Sequence, residues 1–275
     1  MKRLLIDYGA TRCRYLVETE QGELYDEHPS RGLDLYGLIS DSVARYTLEA
    51  VHISYAGQVV DGTIHSAPNV EENHSDLKRS VEKGLGIPVK IENDLKCAAL
   101  AEFHAAENPT TLFAAYIGTG FGGAVVEGGK LFRGKSNMAG EIGHIPFKKA
   151  PFLCGCGKDD CVEIYCSGQG LAAWVEYYGL ESPPTLEGIA ASHDEKAPLI
   201  LQNFYHALSH AVATAVTLFN PSHLVLGGSV VLNNPGLEGF VRDNVDGYAF
   251  KLAAKDAKIL VSTLKNGCLE GTKWL

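Results

Sequence analysis

The sequence has no apolar run long enough to span a membrane and no local cluster of lysine and arginine. Its first residues, MKRLLID, place only three apolar residues between a basic pair and an aspartate, whereas a secretory signal needs a longer apolar region and a cleavage site. The chain carries 24 basic and 33 acidic residues, a net charge of −9. We therefore expect a soluble, cytoplasmic protein that binds neither a membrane nor a nucleic acid.

Cysteine is scarce, with seven in 275 residues, and an odd number in a chain without an export signal argues against a disulfide framework. The composition is otherwise that of a folded protein, with 45% hydrophobic and 21% charged residues. A chain of this length has room for about two domains. We find neither repeats nor low-complexity segments, and we place the domain boundary near Asn108-Pro109, where polar residues separate two patterned segments.

Strand and helix patterns alternate along the chain, which predicts an α/β fold. The predicted helices are 33–48, 77–85, 95–103 and 199–219, and the predicted strands are 4–7, 14–18, 50–55, 88–92, 112–117, 124–127 and 223–226. The clearest helix is 199–219, because its apolar residues recur at spacings of three and four, as one buried face requires. Asn220-Pro221 is expected to end it.

A group of metal-ligating residue types follows the spacing H-x9-C-x-C-x4-C: His144, Cys154, Cys156 and Cys161. Thiolate and imidazole are the ligands that zinc prefers, and four of them complete a tetrahedral shell. A structural zinc would also explain how a segment of low apolar content holds a fixed shape. Three unrelated buried cysteines and a surface histidine are the weaker alternative. The remaining cysteines lie in patterned segments and are expected in the core: Cys13, Cys97, Cys166 and Cys268.

Two glycine-containing segments follow predicted strands. In the first, between Asp7 and Arg12, Gly9 permits a sharp turn in which backbone amides and the Thr11 hydroxyl would face an anion. Asp7, at the end of the strand, could hold a magnesium ion. On these residues alone a plain turn is the better explanation. The second, GTGFGG from Gly118, matches G-x-G-x-x-G, but a strand pattern follows it instead of the helix that a dinucleotide site needs. A strand, a phosphate-holding glycine loop and a second strand are the remaining interpretation.

A third glycine element, Gly227-Gly228-Ser229, follows a buried strand and suits the close approach of a flat ligand, although a helix N-cap at Ser229 explains it equally well. Asn93-Asp94 stands where a strand meets a helix. An ordinary N-cap is the simpler interpretation, and an ionised catalytic base at the carboxyl end of a strand is the functional one. Glu141 and Glu163 flank the His/Cys cluster, either as acceptors for hydroxyl groups or as solvated surface residues.

Taken in this order, these features resemble the ROK family of sugar kinases and repressors, within the actin-like ATPase superfamily. The most specific parts are GEIGH from Gly140 and CGCGKDDCVE from Cys154, which are similar to the family signatures E-x-G-H and C-x-C-G-x-x-G-C-x-E. Asp160 replaces the usual glycine. The resemblance implies two ribonuclease H-like α/β domains around an interdomain cleft, 1–109 and 110–275, with a zinc-stabilised loop. It allows the C-terminal helix to pack back on the first domain.

The resemblance also implies a role for each matched residue. Asp94 would be the general base, and His144 would bind zinc through one ring nitrogen and sugar through the other. The implied sugar ligands are Gly57, Asn69, Asn93, Asp94, Glu141, His144 and Glu163. The implied ATP and phosphate ligands are Asp7, Gly9, Thr11, Arg12, Gly118, Thr119, Gly120, Gly122, Gly227 and Gly228.

The activity that the resemblance implies is transfer of the γ-phosphoryl group of ATP, with Mg²⁺, to a hexose. Glucose at its 6-hydroxyl is the first choice. N-acetylglucosamine, N-acetylmannosamine, mannose and fructose are alternatives, and a homodimer is expected. A sugar-sensing regulator without catalysis is the alternative of another class. The family's repressors carry a DNA-binding module before the sugar-binding part, and the first phosphate-loop strand starts by Arg3, so we expect none here.

Overall fold

The structure, a computed structural model, describes residues 2–67, 70 and 74–275 of the chain. Contacts between residues divide it into two units. Unit 1 comprises Met1–Ala105, Arg133–Met138 and Leu264–Leu275, and unit 2 comprises Ala106–Phe132 and Ala139–Thr263. The domain assignment made from the sequence, 1–109 and 110–275, stays a prediction.

The regular elements are these. The strands are β1 (Arg3–Tyr8), β2 (Arg12–Thr19), β3 (Gly22–Pro29), β4 (Ala50–Tyr55), β5 (Gln58–Val60), β6 (Thr63–Ser66), β7 (Val89–Asn93), β8 (Thr111–Ile117), β9 (Phe121–Glu127), β10 (Lys130–Leu131), β11 (His223–Gly227) and β12 (Lys258–Val261). The helices are α1 (Leu35–Tyr46), α2 (Leu77–Leu85), α3 (Asp94–Ala105), α4 (Gly168–Tyr178), α5 (Leu186–Ala190), α6 (Ala197–Phe219), α7 (Ser229–Leu232), α8 (Gly236–Tyr248), α9 (Lys251–Asp256) and α10 (Gly267–Gly271).

Unit 1 contains a five-stranded sheet in the order β3-β2-β1-β4-β7. The first three strands form an antiparallel meander, and β1, β4 and β7 run parallel. The interior strand β4 is buried along its whole length, as expected for a strand covered on both faces. The parallel register pairs Tyr8 with Tyr55 and Tyr55 with Asn93, so the carboxyl ends of the three strands meet at one edge of the sheet.

Unit 2 contains a second five-stranded sheet in the order β10-β9-β8-β11-β12. Here too the first three strands form an antiparallel meander, while β8, β11 and β12 are parallel. The two sheets therefore have the same topology, although no repeat is visible in the sequence. The α/β fold class predicted from the sequence, with one sheet in each of two units, is confirmed.

The long helix α6 confirms the prediction for 199–219 and begins two residues earlier. Its buried face includes Phe204, Leu208 and Val216, which pack in the core of unit 2. Asn220 ends it in the left-handed conformation, with a φ of 42° and its N–H bonded to the carbonyl of Val216. Across the described part of the chain, no helix combines the length and apolar character that crossing a bilayer would require.

Candidate functional site

The parallel strands of unit 1 carry a row of buried polar side chains, Asp7, Ser54 and Glu92, in register on neighbouring strands. Ser54 Oγ donates to Asp7 Oδ1 at 3.0 Å, and Arg14 Nη1 donates to Asp7 Oδ2 at 3.2 Å. Burial raises the pKa of Asp7, and these two partners oppose that rise. The sheet therefore holds an acidic group at the strand edge where ligands of α/β folds bind.

The turn between β1 and β2 is closed by a hydrogen bond of 2.9 Å from Gly9 N to the carbonyl of Arg12. Arg12 itself forms an exposed ion pair with Glu27, at 2.5 Å between Nη1 and Oε1. Thr11 is exposed at the turn, and its carbonyl accepts from Ser30 N. The predicted turn is therefore present, and phosphate binding by Gly9, Thr11 and Arg12 stays a prediction.

Asn93 and Asp94 lie at the junction of β7 and α3. Asn93 Oδ1 accepts from Lys96 N at 3.2 Å, so Asn93 caps the helix as the simpler interpretation predicted. Its side-chain amide donates to Asp94 Oδ1 and to the carbonyl of Gly57, both at 3.0 Å. The hydrogen bond that caps the helix also orients the Asn93 amide toward these two partners. Three predicted sugar ligands, Gly57, Asn93 and Asp94, therefore lie together at one strand edge. Asn69 lies outside the described residues.

The Asp94 carboxyl does not have the ordinary pKa that the sequence suggested. Burial is the largest influence, and together with the nearby charge of Asp7 it raises the pKa of Asp94 to about 6, against the lowering effect of the hydrogen bonds from Leu95 and Asn93. A base is most effective when its pKa lies close to the working pH. At neutral pH Asp94 is therefore mostly ionised and a stronger base than a solvated aspartate.

In unit 2, the segment from Gly118 to Gly120 joins β8 and β9 as a hairpin, with Gly118 N bonded to the carbonyl of Gly120 at 2.9 Å. This confirms the interpretation as strand, glycine loop and strand, with Gly122 inside β9. The start of α4 holds this loop in place, because Gly168 N donates to the carbonyl of Gly118 and Gln169 N donates to the carbonyl of Thr119.

The third glycine element lies beside this loop. The register pairs Gly227 with Tyr116, and a Cβ on Gly118 would lie 3.6 Å from Ser229 Oγ. Gly228 has a φ of +87° and is the N-cap of α7, so the alternative of an N-cap at Ser229 is wrong. A side chain on Gly228 would collide with the Ile117 carbonyl, which explains the glycine. Unit 2 thus joins the second and third glycine elements at one strand edge.

The His/Cys cluster forms in the segment that follows β10. One ligand atom from each of His144, Cys154, Cys156 and Cys161 lies within 4.8 Å of all the others. His144 Nδ1 is 3.5 Å from Cys154 Sγ, and the Sγ atoms of Cys156 and Cys161 are 3.4 Å apart. A tetrahedral zinc with ligands at about 2.0–2.3 Å separates its ligand atoms by roughly 3.3–3.8 Å. The donor set and its spacing therefore fit zinc.

Two details of the cluster bear on the family pattern. Asp160, which replaces a glycine of that pattern, is not among the residues with positive φ, so its backbone does not need glycine. His144 faces the sulfurs through Nδ1, which leaves Nε2 on the opposite edge of the ring for another partner.

The two glutamates beside the cluster differ in their surroundings. Glu141 is exposed and precedes the 3₁₀ turn Ile142–His144. Glu163 is partly buried, and its Oε2 accepts from Phe121 N at 2.8 Å while Oε1 lies 3.3 Å from Cys154 Sγ. Glu163 therefore links the cluster to the Gly118 loop, a contact that the sequence did not predict.

A family model described as "ROK family" matches residues 4–275. The chain belongs to the ROK family. It is 29% identical over 256 residues to the glucokinase of Streptomyces coelicolor, covering 82% of this chain and 81% of that one. It is 31% identical over 248 residues to the N-acetylmannosamine kinase of Shigella boydii, covering 84% of each chain.

Among solved structures, this ROK protein is similar to a ROK family glucokinase from Streptomyces griseus in complex with glucose and AMPPNP. The identity is 27%, the TM-score is 0.71, and the match covers 99% of this chain and 98% of that chain. A match over nearly the full length of both chains extends the likeness to both units and to the segment that carries the His/Cys cluster.

Sequence reasoning missed the residues that support the unit 1 site: Arg14, Ser54 and Glu92. Arg14 and Ser54 contact Asp7 from neighbouring strands, and Glu92 accepts from Arg133 and Asn137, which lie 41 and 45 residues further along the chain. The pattern along one strand does not reveal such contacts. The contact of Arg14 with Asp7 could have been predicted from the sequence, because pairing the two predicted strands about the Gly9 turn places Arg14 opposite Asp7.

Proposed function

We propose that this ROK protein is a kinase that transfers the γ-phosphoryl group of ATP to a hexose, with glucose at its 6-hydroxyl as the first choice. The observation that carries the proposal is the Asp94 carboxyl, whose pKa is about 6 and which is fixed by Asn93 beside the Gly57 carbonyl. The kinase names of the two relatives, and the glucose and AMPPNP in the similar structure, support the same reaction.

In the proposed reaction Asp94 accepts the proton of the attacking sugar hydroxyl as the sugar oxygen bonds to the γ-phosphorus of ATP. The bond from that phosphorus to the β,γ-bridging oxygen breaks, and ADP leaves with the oxygen. Gly57 and Asn93, with Glu141, His144 and Glu163, bind the other hydroxyls and orient the ring. Asn69 is retained as a further proposed sugar ligand on the strength of the family resemblance alone.

The ATP phosphates are proposed to bind the backbone amides of the two glycine elements that lie side by side in unit 2, and the turn at Gly9 to Arg12. Backbone N–H groups in such turns favour anions. Asp7 would hold the Mg²⁺ that accompanies ATP and neutralises the charge of the transferred group. Its present partners, Ser54 and Arg14, fix the direction of its carboxylate.

Zinc would be held by His144 and the three cysteines, a closed set of four ligands that gives it a structural role. The chain's own contribution is the link from this cluster through Glu163 to Phe121 N, which fixes the start of β9 beside the glycine loop. A homodimer and a cytoplasmic location remain predictions of the sequence.

The sugar that accepts the phosphoryl group is to be identified by experiment. One relative is named for glucose and the other for an N-acetylated hexosamine, so both classes are candidates. A coupled ADP-release screen over glucose, mannose, fructose, N-acetylglucosamine and N-acetylmannosamine separates them by kcat/KM. Glucose is expected to give the highest value.

The variant Asp94→Asn tests the role of the base. It is expected to bind sugar in calorimetry but to lose about 10²- to 10⁴-fold in turnover. Asp246→Asn, an exposed aspartate of α8, is the matched control and should keep full activity. Near-normal turnover of Asp94→Asn would exclude Asp94 as the base. Tight sugar binding by the unaltered protein without ADP release from any sugar would favour the regulator instead.

A further inference from the structure

The segment Arg133–Met138 belongs to unit 1, although the residues on both sides of it in the chain belong to unit 2. Within it, Asn137 is buried and adopts the left-handed conformation with a φ of 60°. The buried Lys96 of α3 donates from Nζ to the backbone carbonyl of Asn137 at 2.5 Å. A non-glycine residue is thus held in an uncommon conformation by a contact from the helix that Asp94 begins.

The side chain of Asn137 makes two strong contacts through one nitrogen. Nδ2 donates to the carbonyl of Val59 at 2.7 Å and to Glu92 Oε1 at 2.6 Å. The other atom, Oδ1, is buried and has no hydrogen-bond partner within the described residues. The two bonds of Nδ2 are therefore what fixes this side chain.

Glu92 connects Asn137 to Asn93 by hydrogen bonds. Its Oε1 also accepts from Asn93 N at 2.9 Å, and its Oε2 accepts from Arg133 Nε at 3.0 Å. Only 5% of the Glu92 side chain is exposed, whereas half of the Arg133 side chain is. A buried carboxylate must have its lone pairs satisfied, so Asn137 and Arg133 together keep Glu92 in the position where it binds Asn93 N.

We propose that Asn137, acting through Glu92, is a positioning residue for Asn93 and Asp94. A continuous series of bonds runs from Asn137 to Glu92, to the backbone of Asn93, and from the Asn93 amide to Asp94 Oδ1. The inference rests on the proposed function, because it assigns Asn137 to the orientation of the proposed base.

Asn137→Gly is the variant of choice. Glycine adopts a φ of 60° without strain, so the substitution removes the two side-chain bonds and leaves the backbone of the segment able to keep its shape. The matched control is Asn108→Gly, an exposed asparagine of unit 2 with a φ of 52°. Two properties are measured: the steady-state constants of the kinase reaction, and hydrogen exchange of the peptide that contains the Asn93 amide.

The expected result is a fall in kcat of about 10- to 100-fold with the KM for ATP within about twofold, since small displacements of a reacting group cost rates of this order. Exchange at the Asn93 amide should be faster, and Asn108→Gly should match the unaltered protein in both measurements. Wild-type kcat and wild-type exchange in Asn137→Gly would overturn the inference, as would equal losses in kcat and in ATP affinity.

A second pair of variants keeps the inference testable if Asn137→Gly does not fold. Glu92→Gln retains a carbonyl oxygen for Asn93 N and Asn137 Nδ2, whereas Glu92→Ala removes it. Glu92→Gln is expected to have a much higher kcat than Glu92→Ala and a much slower hydrogen exchange at the Asn93 amide. Equal values for the two variants would overturn the inference. Absence of activity in the unaltered protein would reject the proposed function. Hydrogen exchange needs no kinase activity, so it would still show whether Asn137 positions Asn93 through Glu92.

Discussion

The side-chain amide of Asn93 donates to Oδ1 of Asp94 at 3.0 Å, and the N–H of Leu95 donates to the same oxygen at 2.8 Å. Both bonds end on the same carboxylate oxygen, so they fix the orientation of the Asp94 side chain. Because these bonds favour the ionised form while burial opposes it, the carboxyl is held in a fixed direction and still has a raised pKa.

We predict that kcat/KM for the sugar falls as the pH decreases through about 6, the pKa of Asp94. Only the ionised carboxylate accepts a proton, and its fraction at one pH unit below the pKa is about one tenth, so the rate at pH 5 should be roughly a tenth of the plateau. A profile from pH 4.5 to 8.5 in constant ionic strength measures it. An acid limb centred near pH 4 would contradict a buried base.

The same pKa makes a prediction about stability. A carboxyl whose pKa is higher in the folded than in the unfolded chain stabilises the fold fully below the unfolded pKa and loses that effect as the pH rises through the folded pKa. At pH 8 the charge on Asp94 therefore destabilises the fold. A pKa raised from 3.8 to about 6 corresponds to about 3 kcal/mol.

We therefore expect Asp94→Asn to raise the free energy of unfolding by up to about 3 kcal/mol at pH 8, while the difference largely disappears at pH 4. Urea unfolding at the two pH values measures the change, with Asp246→Asn as the control that should show none. A variant that is less stable than the unaltered protein at pH 8 would show that ionised Asp94 stabilises the fold.

Local patterns were sufficient to predict much of this molecule. The apolar faces of strands and helices and the turn residues between them predicted the class of fold, and the spacing of His144 and three cysteines predicted a cluster that the structure assembles. The strand β3 was not predicted, because its side chains are nearly all exposed and show no alternation of apolar and polar residues.

Contacts between distant parts of the chain could not be predicted in the same way. Glu163 and Phe121 are 42 residues apart, and Asn137 and Glu92 are 45 apart. In each pair one residue lies in a strand and the other in a turn or loop far along the chain. Such contacts depend on how the whole chain packs, which the periodicity of a local segment does not encode. The pKa of Asp94 is raised by its burial and by the charge of Asp7, which is distant in the sequence, and this is why an ordinary value was expected from the sequence.

The cluster makes a prediction about metal content. The purified protein is expected to hold one equivalent of zinc, and Cys156→Ser to lose it together with several degrees of thermal stability, since a four-ligand site contributes directly to folding. Cys268→Ser, which removes a cysteine of α10 outside the cluster, should retain the metal. Elemental analysis and thermal melts measure both. Folded wild-type protein with clearly less than one equivalent would contradict a structural zinc.

Gly271 makes a prediction about the attachment of the C-terminal segment to unit 1. A Cβ at this position would overlap the backbone carbonyl of Cys97 in α3, and a backbone atom cannot turn aside as a flexible side chain does. We expect Gly271→Ala to destabilise the protein by about 1–3 kcal/mol or more. The control is Gly239→Ala in α8, where, beyond the adjoining backbone of the helix itself, no atom of the described residues lies within 4 Å of the new Cβ and alanine should stabilise the helix slightly. Urea unfolding compares them, and equal stabilities would mean that α10 does not pack against α3 in solution.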